Sequence, residues 1–251
     1  MSQIISINSF RRGSGCSNIL ANLAVLLVAE GYRVGVVDTN IQSPGLHILF
    51  GLDEDEITAT LYDYLWDRCT IEQIAHKMTL ALPQNRTGEV YLIPTSTKIE
   101  EVTHVLSKGY DVKRLNTGLE QLVETLELDL LLIDTQPGLN EETLLSLAIS
   151  DVLVVLLRTN QQDYQGTALT VHMARELNVS RLVLIANEVP GIYDFDAVRS
   201  EMAQSYGCEI GAVLPHSDRL MAMGGSGIFV THYPDHVITT QLKQVAASLM
   251  T

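Results

Sequence analysis

Positive charge is scarce in this 251-residue chain. Lys and Arg number 16 against 30 Asp and Glu, for a formal net charge of −14. Such a polyanion repels nucleic acid and anionic lipid, which argues against a broad DNA-binding or membrane-binding face. Cysteine is nearly absent as well. Cys16, Cys69 and Cys208 are odd in number and fit no zinc spacing, which argues against a disulfide framework. Long apolar runs are missing: stretches such as 23–29 and 152–157 fall far short of the roughly 20 residues a membrane span needs. The first residues lead into an apolar strand pattern without the basic segment and apolar stretch of a secretory leader. The expectation is a reduced, cytoplasmic compartment. The last absence is local. A glycine-rich loop opens the chain, and it has no lysine.

What is present is enough apolar material for a sizeable core, 46% of residues, with short connections. Short apolar runs without period-two alternation read as strands buried on both faces. They fall at 4–8, 34–38, 91–94, 130–134, 152–157, 182–187 and 211–214. Helical patterns lie between them at 17–30, 60–66, 112–126, 141–148, 165–177, 195–205 and 237–249. This alternation predicts an α/β fold: a doubly wound, mainly parallel sheet flanked by helices, as one domain over residues 1–251.

In such a sheet, ligands sit outside the carboxyl ends of the strands. Four strand ends there are polar. The first runs into Asn8-Ser9-Phe10-Arg11-Arg12-Gly13-Ser14-Gly15-Cys16-Ser17-Asn18. Strand, glycine-rich turn and helix form the context in which backbone N–H groups hold a phosphate. Gly13 and Gly15 let the backbone approach an anion closely, and Ser17 is spaced to ligate Mg²⁺. The plainer alternative is a turn with Ser17 as a helix cap. The second end is Asp38-Thr39-Asn40. The third, Asp134-Thr135-Gln136-Pro137-Gly138, offers a Mg²⁺-side carboxylate in Asp134. The fourth is Asn187-Glu188-Val189-Pro190.

Together these segments resemble the MinD/ParA group of deviant P-loop ATPases over essentially the whole chain. The resemblance is closest to a MinD-like branch, carried by residues 38–52, 60–66, 137–145, 150–157 and 233–236. It implies an ATP-dependent homodimer in which two subunits sandwich two nucleotides, ATP or ADP with Mg²⁺. It further implies that Arg11 reaches the partner's phosphates, that Asn187 reads the adenine, and that the segment at Pro215 flanks the base. Arg12 to Asn18 would cradle phosphate, with Ser17 and Asp134 on the metal. Such proteins position or regulate other machinery, so a protein partner is expected.

The departures from the group are as informative. Cys16 stands in place of the lysine that bridges the phosphates. A unit charge ~4 Å from a phosphate is worth on the order of 4 kcal/mol at intermediate dielectric. Arg12 replaces a glycine and would be strained if that position required positive φ. Asn40 replaces the carboxylate near the attacking water and cannot act as a base. Glu188 replaces a lysine. These changes converge on one pocket and predict impaired catalysis, with no catalytic residue intact among Arg11, Cys16 and Asn40. A slow ATPase in which Arg11 or Arg12 compensates, and a scaffold that dimerises without nucleotide, are the alternatives. The segment 237–249 carries Lys243 as its one cation, so no membrane anchor is expected.

Overall fold

The structure is a computed structural model that describes residues 2–80 and 88–250. Its centre is an eight-stranded sheet. The strands are β1 (Gln3–Ser9), β2 (Arg33–Asp38), β3 (His76–Met78), β4 (Glu89–Ile93), β5 (Leu130–Asp134), β6 (Val152–Leu157), β7 (Arg181–Val189) and β8 (Glu209–Pro215), in the order β3-β4-β2-β5-β1-β6-β7-β8. All neighbours are parallel except β3, which runs antiparallel to β4 at the edge. The helices are α1 (Cys16–Ala29), α2 (Leu46–Phe50), α3 (Leu61–Leu65), α4 (Ile99–Lys108), α5 (Val112–Thr125), α6 (Glu141–Ala148), α7 (Gln161–Glu176), α8 (Phe195–Tyr206), α9 (Asp218–Ala222), α10 (Phe229–His232) and α11 (Val237–Leu249). This is the doubly wound α/β architecture expected from the sequence. Among the described residues, no helix is long and apolar enough to cross a membrane.

Several boundaries differ from the sequence reading. Helix α7 starts at Gln161, not 165, because Asn160 caps it by accepting the Asp163 N–H. Helix α4 and strand β3 lie in the stretch that the sequence pattern left unassigned. Strand β3 is two half-buried residues around the exposed Lys77, and among the described residues it pairs with β4 alone.

Strand alternation decides where each polar strand end points. On β5, Leu130 and Leu132 join the apolar cluster around α1, whereas Leu131 and Ile133 join the cluster under α5. On β2, Val34 and Val36 face α1 and Val37 faces away; on β7, Val183 and Ile185 face α1 and Leu184 and Ala186 face away. The same parity aims Asp38, Asp134 and Asn187 at the α1 side of the sheet. Helix α1 is buried over the whole run 19–28, covered by the sheet on one side and α11 on the other. Each such Leu contributes ~1.5–3 kcal/mol by leaving water, which fixes the start of α1 over the strand ends.

Helix α7 meets the loop after β1 through Gly166. A Cβ built there would lie 2.0 Å from the Phe10 ring and 2.7 Å from its Cβ. Helix propensity favours Ala over Gly by ~1 kcal/mol. The overlap reverses that sign: Gly166→Ala is expected to lower stability by ~1–2 kcal/mol. Urea unfolding of the two proteins checks this, and a more stable variant would contradict it.

Candidate functional site

The carboxyl ends of β1, β2 and β5 border a cavity of about 350 Å³ at the start of α1. One wall is the loop itself, from Arg12 to Asn18 with Ser9 beneath. The second is the β2–α2 segment, through Asn40, Ser43, Pro44, Gly45, Ile48 and Leu49. The third combines Asp134, Thr135 and Pro137, with Gly225 at the rim.

The loop is held by its own carbonyls. The Ser9 and Ser14 hydroxyls both donate to the Arg11 carbonyl, at 2.8 and 2.9 Å. Gly13 and Gly15 take left-handed φ of 79° and 91°, which a Cβ would disfavour. Arg12 is not among the left-handed residues, so the strain considered for it does not arise. Gly15 caps α1 without a side-chain hydrogen bond, and the first turn carries no acid. The amides of that turn are therefore uncapped by any side chain, and the positive end of the helix dipole faces the cavity.

The two strand-end carboxylates are neighbours. Asp38 and Asp134 are register partners on β2 and β5, and both are buried, at 1% and 2% exposure. Asp134 accepts the Ser17 hydroxyl at 2.5 Å. Asp38 lies behind the cavity wall, where it accepts the Asn40, Gly45 and Leu46 N–H groups at 3.0, 3.0 and 3.3 Å. Desolvation pushes the Asp38 carboxyl up to about 6, although those N–H groups pull it down. Desolvation raises Asp134 well above the usual carboxylate range, the Asp38 charge raises it further, and the Ser17 hydrogen bond opposes both.

Cys16 sits at the first position of α1, half-buried, where the resemblance expects a lysine. Burial first, and Asp134 second, push its thiol up to about 12, so it is no thiolate despite its helix N-terminal position. Asn40 lines the cavity with a buried side-chain oxygen that lacks a partner.

Of the remaining expected residues, Arg11, Asn187 and Pro215 do not line the cavity. Arg11 turns away: its guanidinium meets the Gln162 side-chain oxygen and stands 3.9 Å from Asp163 on α7. Arg12 lines the cavity but donates to Gln42. Asn187, 3% exposed, donates to the Ser14 carbonyl at 2.9 Å, and Pro215 ends β8 at the same sheet edge. Sequence reasoning assigned no role to Gln42, Gln162, Ile48 or Gly225. No local pattern marks them, because each reaches the loop through the fold.

The family described as an AAA domain matches residues 2–182. The chain belongs to that family, on the MinD/ParA-like P-loop ATPase branch. An uncharacterized ATP-binding protein of Methanocaldococcus jannaschii is 26% identical over 252 residues, covering 100% of this chain and 88% of that protein. An iron–sulfur cluster carrier protein of Aquifex aeolicus is 24% identical, covering 98% of this chain and 66% of that protein. Among solved structures, the septum site-determining protein MinD of Pyrococcus horikoshii, complexed with Mg-ADP, superposes with a TM-score of 0.80 at 20% identity. That match covers 99% of this chain and 96% of that one.

The raised carboxylates make a pH prediction. A carboxyl whose folded pKa exceeds its unfolded value binds more protons when folded. Its stabilisation is full below about pH 4 and is lost as pH rises through the folded pKa, about 6 for Asp38. Asp134→Asn keeps an acceptor for Ser17 and removes the like charge. In metal-free buffer it is expected to be more stable than the parent at pH 8 by on the order of 1–2 kcal/mol, with the gap closing toward pH 5. Denaturant unfolding across pH 5–8 measures the gap, and a gap independent of pH would contradict the assignment.

Proposed function

We propose that this chain is a MinD/ParA-type regulatory or positioning protein whose nucleotide site binds weakly or without turnover. The observation that carries this reading is the cation content of the phosphate cavity. Cys16 occupies the bridging lysine's position, and Arg11 is engaged with α7. Arg12 is the one Lys or Arg among the cavity-lining residues, and it is bonded to Gln42.

The metal side fits better than the phosphate side. Ser17 and Asp134 are already in contact, and the Asp38–Asp134 pair is a buried concentration of negative charge that a divalent cation would neutralise. Ser17 and Asp134 would hold Mg²⁺ with a nucleotide's phosphates, and the loop amides would receive the phosphate oxygens. Asn40 offers an amide where hydrolysis needs a base or a charged water-holder, so in this reading phosphate transfer to water is not supported. An ATP- or ADP-bound homodimer remains the natural assembly, and it requires Arg11 to leave Gln162 before it can reach across. The relatives differ in their named roles, ATP binding for one and iron–sulfur cluster carriage for another, so they leave the partner and process open.

A slow ATPase is the second reading, and Arg12 on the cavity wall favours it, since a guanidinium can bind phosphate in bidentate fashion. Continuous phosphate-release assays with Mg·ATP separate the two. The expected result is no release above that of Ser17→Ala and Asp134→Ala. Steady release that disappears in those variants and in Arg12→Ala would instead establish the slow enzyme.

A further inference from the structure

We propose that Asn187 is a positioning residue for the phosphate loop, and that a bulge in β7 held by Arg158 aims it there. The inference deepens the reading of the loop as a phosphate site and rests on it. Its structural half is nonetheless testable without any ligand.

In a trans peptide the carbonyl and the following N–H point in opposite directions, and no cis bond occurs among the described residues. Asn187 Nδ2 donates to the Ser14 carbonyl at 2.9 Å, with both residues buried. Fixing that carbonyl fixes the Gly15 N–H on the far side of the same peptide. A Cβ on Gly15 would fall 2.6 Å from Asn187 Nδ2, so the amide group fills the space a side chain at 15 would take. Ser9 and Ser14 treat the Arg11–Arg12 peptide, three peptides earlier in the loop, the same way, by pinning the Arg11 carbonyl and thus the Arg12 N–H. An anion site needs carbonyls turned out and amides turned in. These side chains impose that pattern.

Asn187 is delivered by an irregularity. Pairing of β7 with β8 slips between Ala186 and Val189, and Glu188 takes a left-handed φ of 56°. The other non-glycine left-handed residues among those described, Asp67, Glu127 and Asn178, each follow a helix C-terminus. Glu188 alone lies inside a strand, where such a conformation costs on the order of 1 kcal/mol or more and persists only if held. Arg158 holds it. Its Nη1 stands 3.8 Å from the Glu188 carboxylate, while its Nε and backbone N–H are bound by the buried Asp163 at 3.4 and 3.0 Å. The strain is local, and its product is a buried amide aimed at Ser14.

The test pairs ligand-free NMR with calorimetry, using inorganic pyrophosphate and Mg²⁺ as the probe. In Asn187→Asp, an oxygen faces the Ser14 carbonyl, so the Gly15 amide resonance is expected to move and its exchange to quicken, while β5 and β6 amides stay unchanged. Pyrophosphate affinity is expected to fall about tenfold, the cost of one misdirected donor at a desolvated site. Arg158→Gln leaves the buried bond intact and guards against a variant that does not fold. It should shift Gly15 in the same direction by less, and the shift should vanish in a Glu188→Gly background, where glycine holds the bulge unaided. An unmoved Gly15 resonance and unchanged affinity in folded Asn187→Asp would overturn the proposal. An Arg158→Gln shift that persists beside Glu188→Gly would overturn the role given to the bulge. If the parent protein binds no pyrophosphate, the phosphate reading fails by itself, and the Gly15 resonance still decides the role of Asn187.

Discussion

Two carboxylates that the sheet forces side by side govern this molecule's active edge. The register of β2 on β5 sets Asp38 opposite Asp134. Period-two alternation turns both toward α1, and the surrounding core removes water from both. Like charges in that setting cannot both ionise without cost. Three backbone N–H groups compensate Asp38 and one hydroxyl compensates Asp134, against the desolvation that raises both carboxyls. A lysine at position 16 would supply the missing charge from the same helix. The thiol that stands there supplies none. The shortage of cations noted in the composition thus acts at one particular place.

Much of this was legible in the sequence. The apolar runs of β1, β2, β5, β6 and β7 read as strands buried on both faces, and a polar residue at the end of such a run belongs at the ligand edge of a parallel sheet. The same logic puts Asp38, Asp134, Asn187 and the loop at one edge. Strand β3 was not legible, because it is too short and too polar to carry a period. Helix α4 carries a helical spacing in Ile99, Val102, Val105 and Leu106, and the sequence reading leaves that stretch unassigned.

The partners of the site residues were the least legible part. Arg11 meets Gln162, 151 residues away, and Asn187 meets Ser14, 173 residues away. The resemblance implies that Arg11 reaches a partner's phosphates and that Asn187 reads a base in the nucleotide-bound dimer. The structure shows the first engaged with its own α7 and the second donating to the loop backbone. Neither contact follows from local pattern, because each depends on which strands the topology makes adjacent. The strained Glu188 is of the same kind. Nothing in the sequence around residue 188 predicts a left-handed strand residue; it coincides with the register slip of β7 on β8.

The central claim is that nucleotide affinity here is limited by one missing charge at position 16. Calorimetric titration of Mg·ATP into the parent protein and Cys16→Lys tests it most directly. The account predicts weak or undetectable binding by the parent and a gain of at least about tenfold in the variant, since a charge near a phosphate is worth several times RT at intermediate dielectric. Tight binding by the parent, or no gain in a folded Cys16→Lys protein, would contradict it.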